Sequence, residues 1–217
     1  MGLEGRSSKK VFVIGAGGHA KVVVSLLQEC RMHVAGLFDD DPQKWGTEIL
    51  GVRILGPIND IKKYAQEGQF IIGIGNNRMR HDLARKWEGV LSWLSIAHPT
   101  AYVHSSVNLG PGTVVFAGAV VQPHTIIGRH SIINTGATVD HDCKLGSYVH
   151  IAPGVHVAGG VNIGEGTMLG IGASVLPGKR IGRWVTVGAG AVVIDDLADN
   201  VTAVGVPARV IRRRADS

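Results

Sequence analysis

A parallel β-solenoid preceded by a small α/β domain is the fold class that this sequence predicts. Three observations support it. Aliphatic residues recur every six positions over residues 103–193, and small residues form a second column with the same period. The preceding residues instead alternate between short apolar strands and helical stretches. Because two different periods occupy two parts of the chain, we expect two structural units.

The first column begins at Val103 and continues in steps of six to Val193. All sixteen of its positions hold Leu, Ile or Val, whereas the other 75 positions of this window hold twelve such residues. Such a period indicates one short strand and one turn per hexapeptide, with the aliphatic side chain pointing inward. Three hexapeptides make one coil, so residues eighteen positions apart are expected to stack about 4.8 Å from each other.

The second column lies four residues after each aliphatic position. From Val107 to Ala191 it holds small or β-branched residues, and Lys179 is the one position that breaks it. Small side chains fit near the corner of a prism, and the glycines that often follow the aliphatic position allow tight turns. Cys143 belongs to this inward column, so we interpret it as a packing residue and not as a nucleophile.

Residues 9–97 are predicted to form an α/β domain with a parallel sheet, because strands and helices alternate there. The boundary is expected near His98 and Pro99, which leaves residues 98–211 for the solenoid and a C-terminal tail. The expected strands are Val11–Ile14, Val34–Phe38 and Phe70–Ile74, and the expected helical stretches run to about Cys30, over Ile58–Glu67 and to about Trp87.

Composition narrows the possible partners. The formal charge is +5, but the basic residues form no patch interleaved with aromatic residues, so we expect no nucleic-acid binding. The basic cluster at residues 212–214 is expected to be a solvated tail. Residues 1–8 are polar, and no apolar stretch is long enough for a signal peptide or a membrane span. We therefore expect a cytoplasmic protein with reduced cysteines.

A glycine-rich loop follows the first strand. Residues 15–20 match the pattern G-x-G-x-x-A, in which glycines let the backbone approach a phosphate and the next helix presents free N–H groups. Asp39 and Asp40 follow about twenty positions later, where acidic residues commonly bind a ribose or a base. About ninety residues are too few for a full dinucleotide-binding sheet, so a mononucleotide or a nucleotide-sugar is the expected ligand.

His141 is the histidine most suited to catalysis. It is flanked by Asp140 and Asp142, and a neighbouring carboxylate raises the basicity of imidazole and fixes its tautomer. Gly159 is expected one coil away, where the absence of a side chain leaves room and a main-chain N–H could hold an oxyanion. His141 is therefore predicted to be a general base. Solvent-exposed positions are expected for the other histidines considered: His98, His104, His124, His130 and His156.

The sequence resembles the bacterial nucleotide-sugar N-acetyltransferases of the NeuD/PglD type within the hexapeptide-repeat superfamily. The resemblance rests on the hexapeptide array, on the Asn-Thr…Val-x-His-Asp/Glu-Cys segment at residues 134–143 and on Val-Gly-Val-Pro-Ala-Arg at residues 204–209. It extends to Gly-Ala-Gly-Gly-His-Ala at 15–20, Leu-Phe-Asp-Asp at 37–40 and Ile-Gly-Asn-Asn at 74–77. The resemblance covers residues 10–211.

This resemblance implies a left-handed parallel β-helix and a homotrimer with active sites between subunits. Acetyl-CoA is the implied co-substrate, and no metal is expected. His141 would be the base and Asp142 its partner, although bacillosamine-pathway members carry glutamate there, which leaves open whether Asp140 or Asp142 supports the imidazole. The implied substrate-binding residues are Gly17, Gly18, His19, Asp39, Asp40, Gly75 and Asn134, and the implied acetyl-CoA-binding residues are His150, Gly159, Ile171 and Ala189.

The implied reaction transfers acetyl to the 4-amino group of a nucleotide-linked amino-deoxysugar, as in lipopolysaccharide or glycan building. The overall likeness favours GDP-perosamine as the substrate, but the sequence does not determine whether the nucleotide is GDP or UDP. It also does not determine the sugar, the acetylated position or the longest acyl chain that is accepted. O-acetylation of sialic acid is the nearest alternative, because the same base would serve. A zinc enzyme of the carbonic-anhydrase-like solenoid type and a nucleotide-sensing trimer without catalysis are more distant ones.

Overall fold

The computed structural model describes residues 10–213. Residues 1–8, which carry the expectation about a signal peptide, and Arg214 of the basic cluster lie outside this range. Contacts divide the described chain into two compact units, one of residues 10–74 with 87–94 and the other of residues 75–86 with 95–213. Residues 75–86 precede the boundary expected near His98, yet they make their contacts within the second unit.

The first unit is built on a five-stranded sheet with the order β3-β4-β2-β1-β5. All neighbours are parallel except the β3–β4 hairpin, which the sequence analysis did not predict. Three aromatic side chains, Phe12, Phe38 and Phe70, are buried in its core. The elements are β1 (Lys10–Ile14), α1 (Gly18–Glu29), β2 (Val34–Phe38), β3 (Glu48–Ile49), β4 (Val52–Gly56) and β5 (Gly68–Ile72).

Two expectations about this unit need correction. The segment expected to be helical from Ile58 to Glu67 is a 3₁₀-helix that spans Ile58–Tyr64. The strand expected at Phe70–Ile74 begins two residues earlier and ends at Ile72, because Gly68 and Gln69 continue the pairing with β1. A second 3₁₀-helix, Pro42–Lys44, follows β2.

The second unit is a left-handed parallel β-helix, to which helix α2 (Asn77–Lys86) is attached. Its short strands form three faces. The first face contains β6 (Ile96–Ala97), β9 (Val114–Val115), β12 (Ile132–Ile133), β15 (His150–Ile151), β18 (Met168–Leu169), β21 (Thr186–Val187), β23 (Val201–Val204) and β24 (Arg209–Arg213).

The other two faces contain shorter series of strands. The second face contains β7 (Tyr102–Val103), β10 (Val120–Val121), β13 (Thr138–Val139), β16 (His156–Val157), β19 (Ser174–Val175) and β22 (Val192–Val193). The third face contains β8 (Asn108–Leu109), β11 (Ile126–Ile127), β14 (Lys144–Leu145), β17 (Asn162–Ile163) and β20 (Arg180–Ile181).

The predicted eighteen-residue register is confirmed. Val121 pairs with Val103 on one side and Val139 on the other, and the same step relates the strands from β6 to β22. The first face departs from it at β23, where Val187 pairs with Ala203, sixteen residues on. The aliphatic column fills the interior from Val115 to Val193, together with small residues such as Ala137 and Cys143. The core is therefore a stack of side chains repeated in every coil, in which each layer covers the next.

The ends of the second unit differ from expectation in one respect. Arg212 and Arg213 were expected in a solvated tail, but both belong to β24, which pairs antiparallel with β23. Their side chains are nevertheless exposed, so it is the backbone that is ordered by the sheet.

His130 is also not where the sequence analysis expected it. It was expected to face solvent, but its side chain is buried and its ring stacks on that of Tyr148, with centroids 5.6 Å apart. The two residues are eighteen positions apart and both have positive φ, so they occupy equivalent corners of successive coils. His130 is therefore a packing residue.

Candidate active site

His141 and Asp142 form the hydrogen-bonded pair that the sequence suggested. The His141 Nδ1 atom lies 2.8 Å from an Asp142 carboxylate oxygen, while the main-chain N–H of His141 donates to Asp140 Oδ1 over 2.8 Å. The hydrogen bond to Asp142, and then the charge of Asp140, raise the pKa of His141 above its ordinary value. Asp142 thus supports the ring, and Asp140 supports the main chain that carries it.

The corner between the second and third faces determines where this pair points. The corner requires a left-handed backbone conformation, which is held by His124, Asp142 (φ 58°) and Gly160 in successive coils. Aspartate tolerates this conformation better than most non-glycine residues. From it, the Asp142 carboxylate reaches back to the preceding imidazole, which is exposed to solvent.

Gly159 lies against the edge of the imidazole. A Cβ atom placed on Gly159 would be 2.7 Å from His141 Cε1 and 2.8 Å from Nε2, so no other residue fits there without moving the ring. Because Asp142 occupies Nδ1, Nε2 is the nitrogen next to Gly159. No hydrogen bond from the Gly159 N–H to another described residue is found, whereas Gly160 donates to His141 O. The Nε2 edge of the imidazole thus lies close to Gly159, a residue whose main-chain N–H has no acceptor among the described residues.

A cavity of about 370 Å³ lies beside this corner on the second face. Its lining combines apolar residues with five polar ones, which are Gln122, Thr138, Asp140, His156 and Ser174. The Thr138 hydroxyl lies 2.9 Å from His156 Nδ1, so two of these side chains are held by each other. Asp140, which precedes His141, therefore lines a recess of the β-helix that has both polar and apolar walls.

Apart from Gly159, the implied acetyl-CoA residues lie near a different corner, together with Asn134 of the implied substrate site. Asn134 Nδ2 is 3.2 Å from His150 Nε2, and the Gly190 N–H donates to Ile171 O, which brings Ile171 and Ala189 together in successive coils. Ile171 is 62% exposed, which is unusual for a large aliphatic side chain. Along the chain, this corner comes before each strand of the second face, whereas His141 comes directly after one of those strands. The two groups therefore lie at opposite edges of the second face.

The glycine loop of the α/β unit has free space around Gly17 and Gly18, where helix α1 begins. A Cβ atom placed on Gly17 or Gly18 would meet nothing within 4 Å, and helix α1 begins at Gly18 without a side-chain cap. His19 follows in the first turn and is half-buried. The first N–H groups of the helix are thus accessible to an anionic group.

Asp39 and Asp40 have different surroundings. Asp39 Oδ2 accepts a hydrogen bond of 2.7 Å from the Ala16 N–H, and its Oδ1 is bonded by the Asp41 N–H and by Lys44 Nζ. Burial tends to raise the pKa of Asp39, but these main-chain donors and Lys44 outweigh burial and hold it below its ordinary value. Asp40 is more exposed and accepts from the Ile58 N–H. Asp39 therefore shapes the glycine loop, and Asp40 faces outward.

Gly75 belongs to the β-helix unit, where its carbonyl accepts a hydrogen bond of 3.1 Å from Arg80 Nη1. Arg80, which is 2% exposed, was not predicted from the sequence. No local signal could have revealed it, because an arginine in a short polar helix is usually solvated. Trp45 was not predicted either. Its indole N–H donates to Asp39 O while its ring remains partly exposed.

Two protein families match the chain. The PglD N-terminal domain matches residues 10–87, and the bacterial transferase hexapeptide, described as six repeats, matches residues 124–159. A solved structure matches nearly its whole length: a histidine-to-asparagine mutant of perosamine N-acetyltransferase from Caulobacter crescentus, in complex with CoA and GDP-perosamine. It is 43% identical with a TM-score of 0.88, and the match covers 95% of this chain and 97% of that one.

The chain belongs to this family of sugar N-acetyltransferases. Another member, the acetyltransferase domain of PglB from Neisseria gonorrhoeae in complex with acetyl coenzyme A, is 35% identical with a TM-score of 0.89. That match covers 94% of this chain and all of the other. Membership of the family makes the chain an enzyme of the acetyl-CoA-dependent class.

Curated relatives match over shorter segments. UDP-N-acetylbacillosamine N-acetyltransferase of Bacillus subtilis is 38% identical over 120 residues, which are 50% of this chain and 52% of that protein. An uncharacterised protein of Acanthamoeba polyphaga mimivirus is 35% identical over 105 residues, 48% of this chain and 21% of that one. The match thus spans about half the length of one of these relatives and a fifth of the other.

Two further observations concern the residues that the structure describes. Among residues 10–213, no three or more His, Cys, Asp or Glu side chains are grouped so that they could hold a metal ion. Within the same range, no helix has both the length and the apolar character needed to cross a membrane.

Proposed function

We propose that this enzyme transfers the acetyl group of acetyl-CoA to the 4-amino group of a nucleotide-linked amino-deoxysugar, with GDP-perosamine as the first substrate to test. The observation that carries the proposal is the arrangement of His141, Asp142 and Gly159. One imidazole nitrogen is held by a carboxylate, and the other lies close to Gly159, whose N–H has no acceptor among the described residues. A family member that binds CoA and GDP-perosamine together supports the choice of substrates.

The proposed reaction is a direct transfer. The amine nitrogen of the sugar attacks the thioester carbon and forms the new C–N bond, while negative charge develops on the carbonyl oxygen. The Gly159 N–H would stabilise that oxygen, and His141 Nε2 would accept the proton released by the amine. Collapse of the intermediate breaks the C–S bond, and the leaving thiolate takes the proton from the imidazolium. Asp142 keeps the ring in the tautomer that has its lone pair on Nε2.

Neither cysteine suits an acetyl-enzyme intermediate. The Cys143 side chain is fully buried, its thiol donates to Ala158 O over 3.3 Å, and burial raises its pKa. Burial also raises the pKa of Cys30. Nucleophilic cysteines need the opposite, an accessible thiol whose pKa is lowered. These properties support direct transfer to the amine.

We propose a homotrimer whose active sites lie between subunits. Asn134, His150, Ile171 and Ala189 would bind acetyl-CoA and the sugar at one edge of the second face, while His141 stands at the other edge. A neighbouring copy that brings its acetyl-CoA-binding edge beside His141 would complete the active site. The exposed Ile171 side chain supports this, because contact with a ligand or partner would remove it from water.

The nucleotide part of the substrate would bind the α/β unit. The N–H groups at Gly17, Gly18 and His19 suit a phosphate, and the outward carboxylate of Asp40 suits a ribose hydroxyl. Asp39 would act by holding the loop that carries these donors. Gly75 would contact the same substrate. Because acetyl-CoA and nucleotide-sugars are cytoplasmic metabolites, the proposed reaction belongs in the cytoplasm.

The test is release of free thiol from acetyl-CoA in the presence of different acceptors. GDP-perosamine, UDP-linked 4-amino sugars and free sialic acid are offered in parallel, and product mass identifies the acetylated compound. Rapid thiol release with one amino sugar supports the proposal and identifies the nucleotide. Turnover with sialic acid alone would change the assignment to O-acetylation, and no turnover with any of them would reject the proposal.

A further inference from the structure

Helix α2 is attached to the β-helix mainly by polar contacts. It contains ten residues, of which Arg80 and Ala84 are buried, so little apolar surface holds it in place. Its first residue, Asn77, donates through its side-chain amide to the carbonyls of Gly166 and Thr167 at 3.0 and 3.2 Å. The position of this helix therefore depends on individual hydrogen bonds.

Arg80 adds two further hydrogen bonds to the β-helix. Its Nε donates to His130 O at 2.7 Å and its Nη2 donates to Tyr148 O at 3.0 Å, so it spans two successive coils. The same guanidinium also donates to Gly75 O and to Asn77 Oδ1. Burial lowers the pKa of Arg80 to about 9, so the group is still charged at neutral pH. A planar fork of five donors matches this spread of acceptors, and a lysine ammonium does not.

Aromatic side chains of the β-helix complete the contact. The His81 ring meets Tyr148 and Trp184 edge-on, with centroids 4.9 and 5.6 Å apart. These two residues stand at equivalent corners, 36 positions apart, and Gly166 occupies the corner between them. The Arg78 guanidinium lies 4.0 Å from the centre of a Trp184 ring. Helix α2 thus has a defined orientation on this corner.

The segment fixed in this way borders a cavity. Gly75, Asn76, Asn77 and Arg78 line a recess of about 280 Å³, together with Gly166, Met168, Trp184 and Thr186 of the β-helix. All of these residues belong to the unit that carries His141. Gly75 is a proposed substrate-binding residue, and the Arg80 hydrogen bond to its carbonyl determines where that residue stands.

We propose that Arg80 is a positioning residue for the acceptor substrate. It fixes residues 75–77 on the same rigid body as the base, so that the amine is presented to His141 in one orientation. Arg80 touches neither the substrate nor the reacting atoms and acts through Gly75 and Asn77. The inference rests on the proposed function, because it assumes that residues 75–77 contact the nucleotide-sugar.

The test compares Arg80→Met and Arg80→Lys with Arg85→Met, which removes an exposed arginine from the same helix. For each variant, kcat and KM are measured with the nucleotide-sugar and with acetyl-CoA separately varied. Misplacement of the acceptor by about 1 Å is expected to raise the KM for the nucleotide-sugar as well as to lower kcat, so that kcat/KM for this substrate falls by about tenfold or more. The KM for acetyl-CoA should stay within about twofold of wild type, and Arg80→Lys should not restore activity.

A purely structural role would give a different result. If Arg80 only stabilises the fold, its replacement would lower the fraction of active enzyme and therefore kcat, while both KM values would stay unchanged. That result would overturn the proposal. If Arg80→Met does not fold, Arg80→Lys and Asn77→Ala, which removes the contacts to Gly166 and Thr167, provide the same comparison. An inactive wild type would instead reject the proposed function, so the two failures are distinguishable.

Discussion

The imidazole of His141 is held at Nδ1 by Asp142 at 2.8 Å, while Gly159 lies so close to its other edge that a Cβ atom there would be 2.7 Å from Cε1. The ring is thus oriented by a charge on one side and by a missing side chain on the other. Three residues from two adjacent coils are sufficient to hold one basic nitrogen in one orientation close to a glycine of the next coil.

Replacing the base should abolish most of the activity without unfolding the protein. We expect His141→Asn to lower kcat by about 10²–10⁴, which is the usual contribution of general-base catalysis. The KM values should change much less, because the exposed side chain contributes little to packing. The matched control is His124→Asn, an exposed histidine of the preceding coil in a backbone conformation that asparagine tolerates. A His141→Asn variant with wild-type kcat would rule out this base.

The two carboxylates beside His141 should affect the pH profile differently. A general base must be neutral to act, so activity falls as the pH drops through its pKa. Asp142 raises that pKa by a hydrogen bond and Asp140 raises it by charge alone. Asp142→Asn should therefore shift the acidic limb of the kcat/KM profile to lower pH, and further than Asp140→Asn does, while lowering the maximum rate. Equal shifts in the two variants would contradict the roles given to them.

Adding a single methyl group at Gly159 should displace the base. The backbone of Gly159 does not require a positive φ, so Gly159→Ala is not strained by itself. Its Cβ would nevertheless collide with the His141 ring, and kcat should fall by about tenfold to a hundredfold. Combining it with His141→Asn measures the coupling. If the two losses simply multiply, Gly159 does not act through the imidazole.

The loop-holding role of Asp39 should appear as a loss of nucleotide binding. We expect Asp39→Ala to weaken binding of the nucleotide-sugar by about tenfold or more, because it leaves the Ala16 N–H and the Asp41 N–H without their acceptor. Binding of CoA, measured by calorimetry on the same sample, should not change. Glu67→Gln, which removes an exposed ion pair of the same unit, is the control. An equal loss of both ligands would indicate general destabilisation.

The β-helix could be predicted almost residue by residue. Each position from Val115 to Val193 in steps of six follows the same local rule, and one eighteen-residue step determines the pairings among these strands. His141 could be found because its partners are its immediate neighbours in sequence. Contacts between distant segments were not accessible in this way. Arg80 meets the carbonyls of His130 and Tyr148 at separations of 50 and 68 residues, which no local pattern in the sequence indicates.

The α/β unit was predicted in outline and missed in detail. The β3–β4 hairpin follows no apolar run long enough to signal it, and Ile58–Tyr64 is helical in its hydrogen bonding but not α-helical. The distinction between Asp39 and Asp40 also needed coordinates, because two adjacent aspartates look alike in a sequence. Their separation follows from the glycine loop, which offers its N–H to one of them.

Because of the eighteen-residue register, the β-helix advances by the same distance in every coil. Inserting one complete coil between the base and the C-terminal strands would advance everything beyond it by about 4.8 Å and leave every side chain on its original face. Inserting a single hexapeptide would instead rotate everything beyond it by one third of a turn. Whole coils can therefore be added without changing the surroundings of His141, whereas an insertion that is not a whole coil changes which face every later side chain lies on.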